Sequence, residues 1–170
     1  MEVWLTMHKT KRSGKILVTL ILVVVHCASC SSAILPPNSS NVESFFRNHE
    51  KELQILTKYI AEQDCETFYI FQTDGTATAD LKHITIKNDA VLQSIESIIS
   101  DGCIDIYKDT TKNSIQFILW KRTRDEADCG LLYALTSEKA PKAEFQTEIA
   151  PLSEDGWYYY LAEYNKWRRR

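Results

Sequence analysis

Nucleophilic catalysis needs a thiol or hydroxyl beside a base, and this 170-residue chain offers few such pairs. Cys103 or Cys129 with His83 is the one Cys/His dyad available in the exported part, and no motif spacing ties its members together. Cys65, Cys103, Cys129 and His83 also make a conceivable zinc set. They lack the short C-x-x-C ligand pair that structural zinc sites use. The run Lys121-Arg-Thr-Arg-Asp-Glu-Ala-Asp128 mixes both signs, as a solvated hairpin loop or a clasp for a charged partner would. Its Asp125, Glu126 and Asp128 lack the alternating spacing and glycine of a calcium loop. Gly-x-Ser-x-Gly, the P-loop and the dinucleotide fingerprint are all missing from the sequence, which has five glycines. The reading therefore assigns no catalytic residue, no metal ligand and no cofactor.

Charge narrows the partners. The chain carries a net charge of −3, and Lys9, Lys11, Arg12 and Lys15 against Glu2 concentrate positive charge near its start, leaving the remainder near −6. A mildly acidic domain repels polyanions, which argues against nucleic acid. Apolar content of 44% with 11% aromatic suits a packed globule rather than a disordered chain.

That basic cluster precedes Ile16-Leu-Val-Thr-Leu-Ile-Leu-Val-Val-Val25 and the small-residue run Ala28-Ser-Cys-Ser-Ser-Ala33. Basic, apolar and small-residue regions in that order spell a secretory signal over residues 1–30. Its apolar stretch, about 13 residues, is short of the roughly 20 that a membrane-spanning helix needs. Two ends fit. Ser31 and Ala33 satisfy the small-residue rule for a cut before Ile34. Cys27-Ala28-Ser29-Cys30 resembles a bacterial lipobox, which implies Cys30 as the acylated residue; Cys27 stands where that pattern wants an aliphatic. An uncleaved single anchor is the third alternative. Residues 31–40 read as a tether, 41–167 as a single domain and 168–170 as a basic tail.

The elements that position side chains follow from periodicity. Val42, Phe45, Phe46, His49, Leu53, Leu56 and Ile60 keep helical spacing, giving one helix over 41–63 opened by the capping box Ser40-Asn-Val-Glu43. Val91, Leu92, Ile95, Ile98 and Ile99 make a second, capped at Asn88 or Asp89 and stopped by Gly102. Strands are expected at 68–71, 82–87, 104–107, 115–120, 131–135, 145–149 and 157–161. Short links imply antiparallel pairing, so the fold is α+β: a mainly antiparallel sheet of about five to seven strands with two helices packed on it.

This register bears on Cys103 and Cys129, the candidate disulfide. A turn at 111–112 sets Cys103 across from Trp120, and a second turn near 126 sets Trp120 across from Leu132. The two cysteines then lie two strands and three residues apart, beyond the roughly 7 Å a disulfide tolerates between Cα atoms. The pair requires a bulge or another strand order. The remaining unusual composition is Trp157-Tyr-Tyr-Tyr160 with Tyr164 and Trp167. Alternation turns Trp157 and Tyr159 to the core and leaves Tyr158 and Tyr160 outward. Tyr158, Tyr160 and Tyr164 are thus candidates for a surface that binds a sugar, peptide or protein, or for a terminal strand packed on helices.

Pro151-Leu-Ser-Glu-Asp-Gly-Trp-Tyr-Tyr-Tyr160, with Tyr164, Asn165 and Trp167, resembles the C-terminal end of a group of small, uncharacterised bacterial lipoproteins. The strands Asp128-Cys-Gly-Leu-Leu-Tyr133 and Ile118-Leu-Trp120 are similar to theirs too. The resemblance implies envelope location and acylation of Cys30, and carries no catalytic residue across. The expected function is an exported, membrane-attached or secreted binding module for a protein or other ligand. A small exported hydrolase with a Cys/His or carboxylate pair is the alternative.

Overall fold

The structure is a computed structural model that describes residues 36–71, 73–122 and 127–164. The second of two compact units, Pro36–Arg170, holds every one of them. The signal segment with Cys30 and Ala33, the hairpin loop 123–126 and the tail 168–170 lie outside the described residues.

The described residues form three helices and one eight-stranded antiparallel sheet, against the two helices and five to seven strands expected. The helices are α1 (Ser39–Asn48), α2 (Glu50–Ala61) and α3 (Asp89–Ser100). The strands are β1 (Thr67–Ile70), β2 (Thr76–Ala79), β3 (Lys82–Thr85), β4 (Asp105–Asp109), β5 (Ser114–Arg122), β6 (Ala127–Ala134), β7 (Gln146–Pro151) and β8 (Trp157–Glu163). Their order across the sheet is β3-β2-β1-β4-β5-β6-β8-β7.

The single expected helix over 41–63 divides at His49, whose φ of −122° leaves the helical region. The amphipathic stripe nevertheless continues through the break, and Val42, Phe46, Leu53, Leu56 and Ile60 are all buried. The N-cap is Asn38, whose side-chain oxygen accepts from the Asn41 amide, so the helix begins ahead of the expected capping box. Glu43 is thereby free to reach Arg47 and the hydroxyl of Ser153. α3 follows its sequence signals: Asn88 caps the amides of Ala90 and Val91, and Gly102 ends it at φ +113°.

All three helices lie on one face of the sheet. Leu53, Leu56, Ile60, Val91, Ile95 and Ile98 form one apolar cluster with Phe68, Ile70, Ile106, Ile115, Phe117, Leu131, Trp157 and Tyr159. Burying each large apolar side chain stabilises by roughly 1.5–3 kcal/mol, so this layer holds the domain together. Lys108, on the same face, is buried and donates to the Gln63 carbonyl just beyond α2 (2.7 Å).

On the opposite face the 135–145 connection passes β8 to reach the β7 edge. Asn113 fastens it, donating to the Thr136 and Lys139 carbonyls at 3.0 and 2.6 Å and accepting from the Thr136 amide at 2.8 Å. Ser114 adds a bond to the Lys142 carbonyl (2.9 Å). Ala143 is thereby packed with Leu132, Tyr160 and Ala162 in a second, smaller cluster.

Candidate functional site

Antiparallel partners share a face, so the register defines the rows that the helices leave uncovered. His83, Thr78, Tyr69, Tyr107, Gln116, Leu132, Tyr158 and Pro151 form one row across all eight strands. The next row runs Asp105, Ile118, Gly130, Tyr160, Ile149, and beyond it Lys121 faces Asp128 and Asp128 faces Ala162. At the β1 end the rings gather. Tyr69 stacks on Phe71 with centroids 5.4 Å apart and meets Tyr107 edge-on at 6.1 Å. Phe71 is 42% exposed and the two tyrosines are half-buried.

Beside these rings stands a line of charge. The Tyr69 phenol is pushed up to about 12 by burial first and then by the Asp105 carboxylate, to which it hydrogen-bonds. Lys121 brings its ammonium to 3.6 Å from Asp105 Oδ2. One strand further, Asp128 is nearly fully buried and accepts from the Tyr164 hydroxyl at 2.6 Å. Burial raises the Asp128 carboxyl above its ordinary 3.8, outweighing the pull of Tyr164, Tyr160 and Lys121 in the other direction. Asp128 Oδ1 and the Tyr160 hydroxyl are both buried and have no partner of regular hydrogen-bond geometry.

A bulge makes this arrangement possible. Between Ile118 and Trp120 the β5–β6 register shifts, so Trp120 pairs with Cys129 instead of the expected Leu132. A Cβ on Gly130 would lie 2.0 Å from the Phe117 carbonyl oxygen, so only glycine fits opposite the bulge. Tyr160, directly across from Gly130, meets no side chain there.

The residues singled out in the sequence fall as follows. Tyr160 is fully buried, against the expectation that it faces outward, because the 135–145 connection and Ala143 cover that end of the second face. Tyr158 is half-buried beside it, Tyr164 is half-buried against Asp128, and Trp157 and Tyr159 are in the core as alternation required. Cys103 and Cys129 are free thiols rather than a disulfide. Cys129 pairs with Trp120 on β5, while Cys103 precedes β4 on the other side of β5, so the β5 backbone separates the two thiols. Burial pushes each thiol up to about 12, which removes the thiolate that a Cys/His nucleophile requires. His83 is exposed on β3, and His49 is buried with Nε2 2.6 Å from Asp101 Oδ2. Among the described residues no three His, Cys, Asp or Glu side chains gather as a metal site would require. Nor is any described helix long and apolar enough to cross a membrane.

Tyr69, Tyr107 and Asp105 were not singled out from the sequence, where 68–71 and 104–107 read only as strands, and Lys121 entered only as the first residue of the mixed-charge run 121–128. Their signal was the alternation of polar residues with Phe68, Ile70 and Ile106. No protein-family model, curated protein or solved structure matches this chain.

Proposed function

We propose that the protein is exported, held at a membrane through its N-terminus, and works as a binding module through the helix-free face of its sheet. The observation that carries this reading is the ring cluster Tyr69, Phe71 and Tyr107, partly open to solvent and set beside Asp105 and Lys121. Aromatic side chains give large contact area at small entropic cost, and flanking charges orient a partner. Lys9, Lys11, Arg12 and Lys15 before the aliphatic run support export, and the lipobox-like Cys27-Ala28-Ser29-Cys30 supports a lipid on Cys30. Cleavage after Ala33 is the rival processing.

Two experiments test it. Cys30→Ser is expected to move the protein from membrane to soluble fractions and to abolish labelling by a fatty-acid probe; an intact mass retaining Met1 would establish an uncleaved anchor instead. A photo-crosslinking residue at Phe71 is expected to form adducts in cells making the full chain, and the same group at exposed Glu96 on α3 is not. Equal adducts at both sites would sink the face assignment.

The hydrolase reading survives in one form, favoured by the raised Asp128 carboxyl near Asp105 on the same face. Burial that favours the protonated form of a carboxyl is one of the ways a general acid is tuned. Turnover lost on Asp128→Asn would select it over the binding module.

A further inference from the structure

We infer that the ligand of the helix-free face is a neutral glycan; this rests on the binding reading given above. The choice comes from the charges beside the rings. Asp105 on β4 and Lys121 on the neighbouring β5 form an ion pair at 3.6 Å beside the rings. An anionic ligand meets the Asp105 carboxylate on a domain whose charge is near −6. A cationic ligand meets Lys121, already seated at Asp105. A neutral polyhydroxylated ring suits both signs together, because each hydroxyl donates to a carboxylate and accepts from an ammonium. The Lys121 side chain is 47% exposed and the Asp105 side chain 11%, so both present polar atoms to a ligand on this face.

The rings supply the other half of the recognition. The C–H face of a pyranose is apolar and packs on an aromatic face, and Phe71 offers 42% of its surface for that contact. Tyr69 and Tyr107 continue the platform from β1 to β4. Tyr69 is further held by its bond to Asp105, so the platform is fixed before the ligand arrives. Asp128 and Tyr160 lie too deep to touch the ligand.

Native gel electrophoresis of the domain through gels containing soluble polysaccharides tests the inference. The probes are dextran, hydroxyethyl cellulose, laminarin and glycol chitin as neutral polymers, heparin as an anion and glycol chitosan as a cation. Retardation is expected from at least one neutral polymer and from neither charged one. Phe71→Leu and Lys121→Met should abolish it while leaving the unfolding midpoint close to wild type, and Phe71→Trp should retain it. Retardation by heparin or glycol chitosan alone overturns the glycan class, as does free migration in all four neutral gels. If adducts still form at a crosslinker placed at Phe71 while no neutral gel retards the protein, the glycan inference falls and the binding face stands. If neither signal is found, both fall.

Discussion

On the face beneath the helices, Phe68, Ile70, Ile106, Phe117 and Leu131 are fully buried among Leu53, Leu56 and Ile95. The residues alternating with them on the other face are Tyr69, Phe71, Asp105, Tyr107 and Gln116, which are aromatic, charged or amide. The same strands therefore carry two surfaces with different duties. One removes apolar area from water, and the other holds polar groups that gain little stability by being there. Where the second face is covered, by the 135–145 connection, it becomes a small core around Leu132 and Tyr160. Where it is not, at the β1–β4 end, rings and charges stay within reach of a ligand.

The sharpest break in this comparison is at Gly130. Its Cβ position lies against β5 backbone, which has no flexible side chain to give way. Gly130→Ala should cost about 4–5 kcal/mol, among the largest single-residue effects, and should be visible as loss of a cooperative urea transition. A normal transition would mean that the bulge relaxes at little cost.

Next comes the helix-covered face. Trp157 packs against Phe46, Phe117 and Tyr133 with ring centroids 5.0 to 5.7 Å away. Trp157→Ala should lower the unfolding free energy by about 3–5 kcal/mol. A cost below about 1 kcal/mol would place the tryptophan outside the core.

The carboxylates of the second face give a pH test with opposite signs. Burial raises Asp128, so folding favours its protonated form; that stabilisation is present below 3.8 and is lost as pH rises through the folded pKa. Asp109 is also pushed up by burial, but Lys112 at 2.7 Å and the Thr111 hydroxyl hold it below 3.8. Its stabilisation is present above 3.8 and lost as pH falls through the folded value. Asp128→Asn should flatten the stability profile on the alkaline side of 3.8, and Asp109→Asn on the acid side. Urea titrations at stepped pH read both, and identical profiles for the two variants would contradict the assignments.

The smallest effect belongs to Tyr160→Phe. Removing a buried hydroxyl without a regular partner should change stability by less than about 0.5 kcal/mol, or raise it. A loss of about 2 kcal/mol, measured by urea unfolding, would mean that the hydroxyl is fully bonded to Asp128.

Much of the helix-covered face was legible in the sequence, because one-sided apolar periodicity is local. Asn88 and Gly102 bounded α3, and the first hairpin has the expected register, with Asp105 opposite Ile118. β2 was missed because Thr76-Ala-Thr-Ala79 is short and weakly apolar, and gains its place only by pairing between β1 and β3. The kink at His49 left the stripe unbroken and so left no periodic trace. The bulge after Ile118 depends on Gly130, a residue on the neighbouring strand, and it moved the second hairpin by three residues. Tyr160 is buried by a connection that crosses from elsewhere in the chain, and alternation along β8 carries no information about that cover. The candidate site suffered most, since its rings and charges come from β1, β4, β5 and β6 and meet only through register.

The most direct measurement of the two-face account is a map of backbone amide shifts by NMR as laminarin oligosaccharide, or whichever neutral polymer retards the protein, is titrated into the domain. The account expects shifts concentrated at 69–71, 105–107 and 116–121, with α2 and α3 unmoved. Shifts centred on the exposed side of α2 and α3, with Tyr69, Phe71 and Tyr107 unchanged, would contradict it.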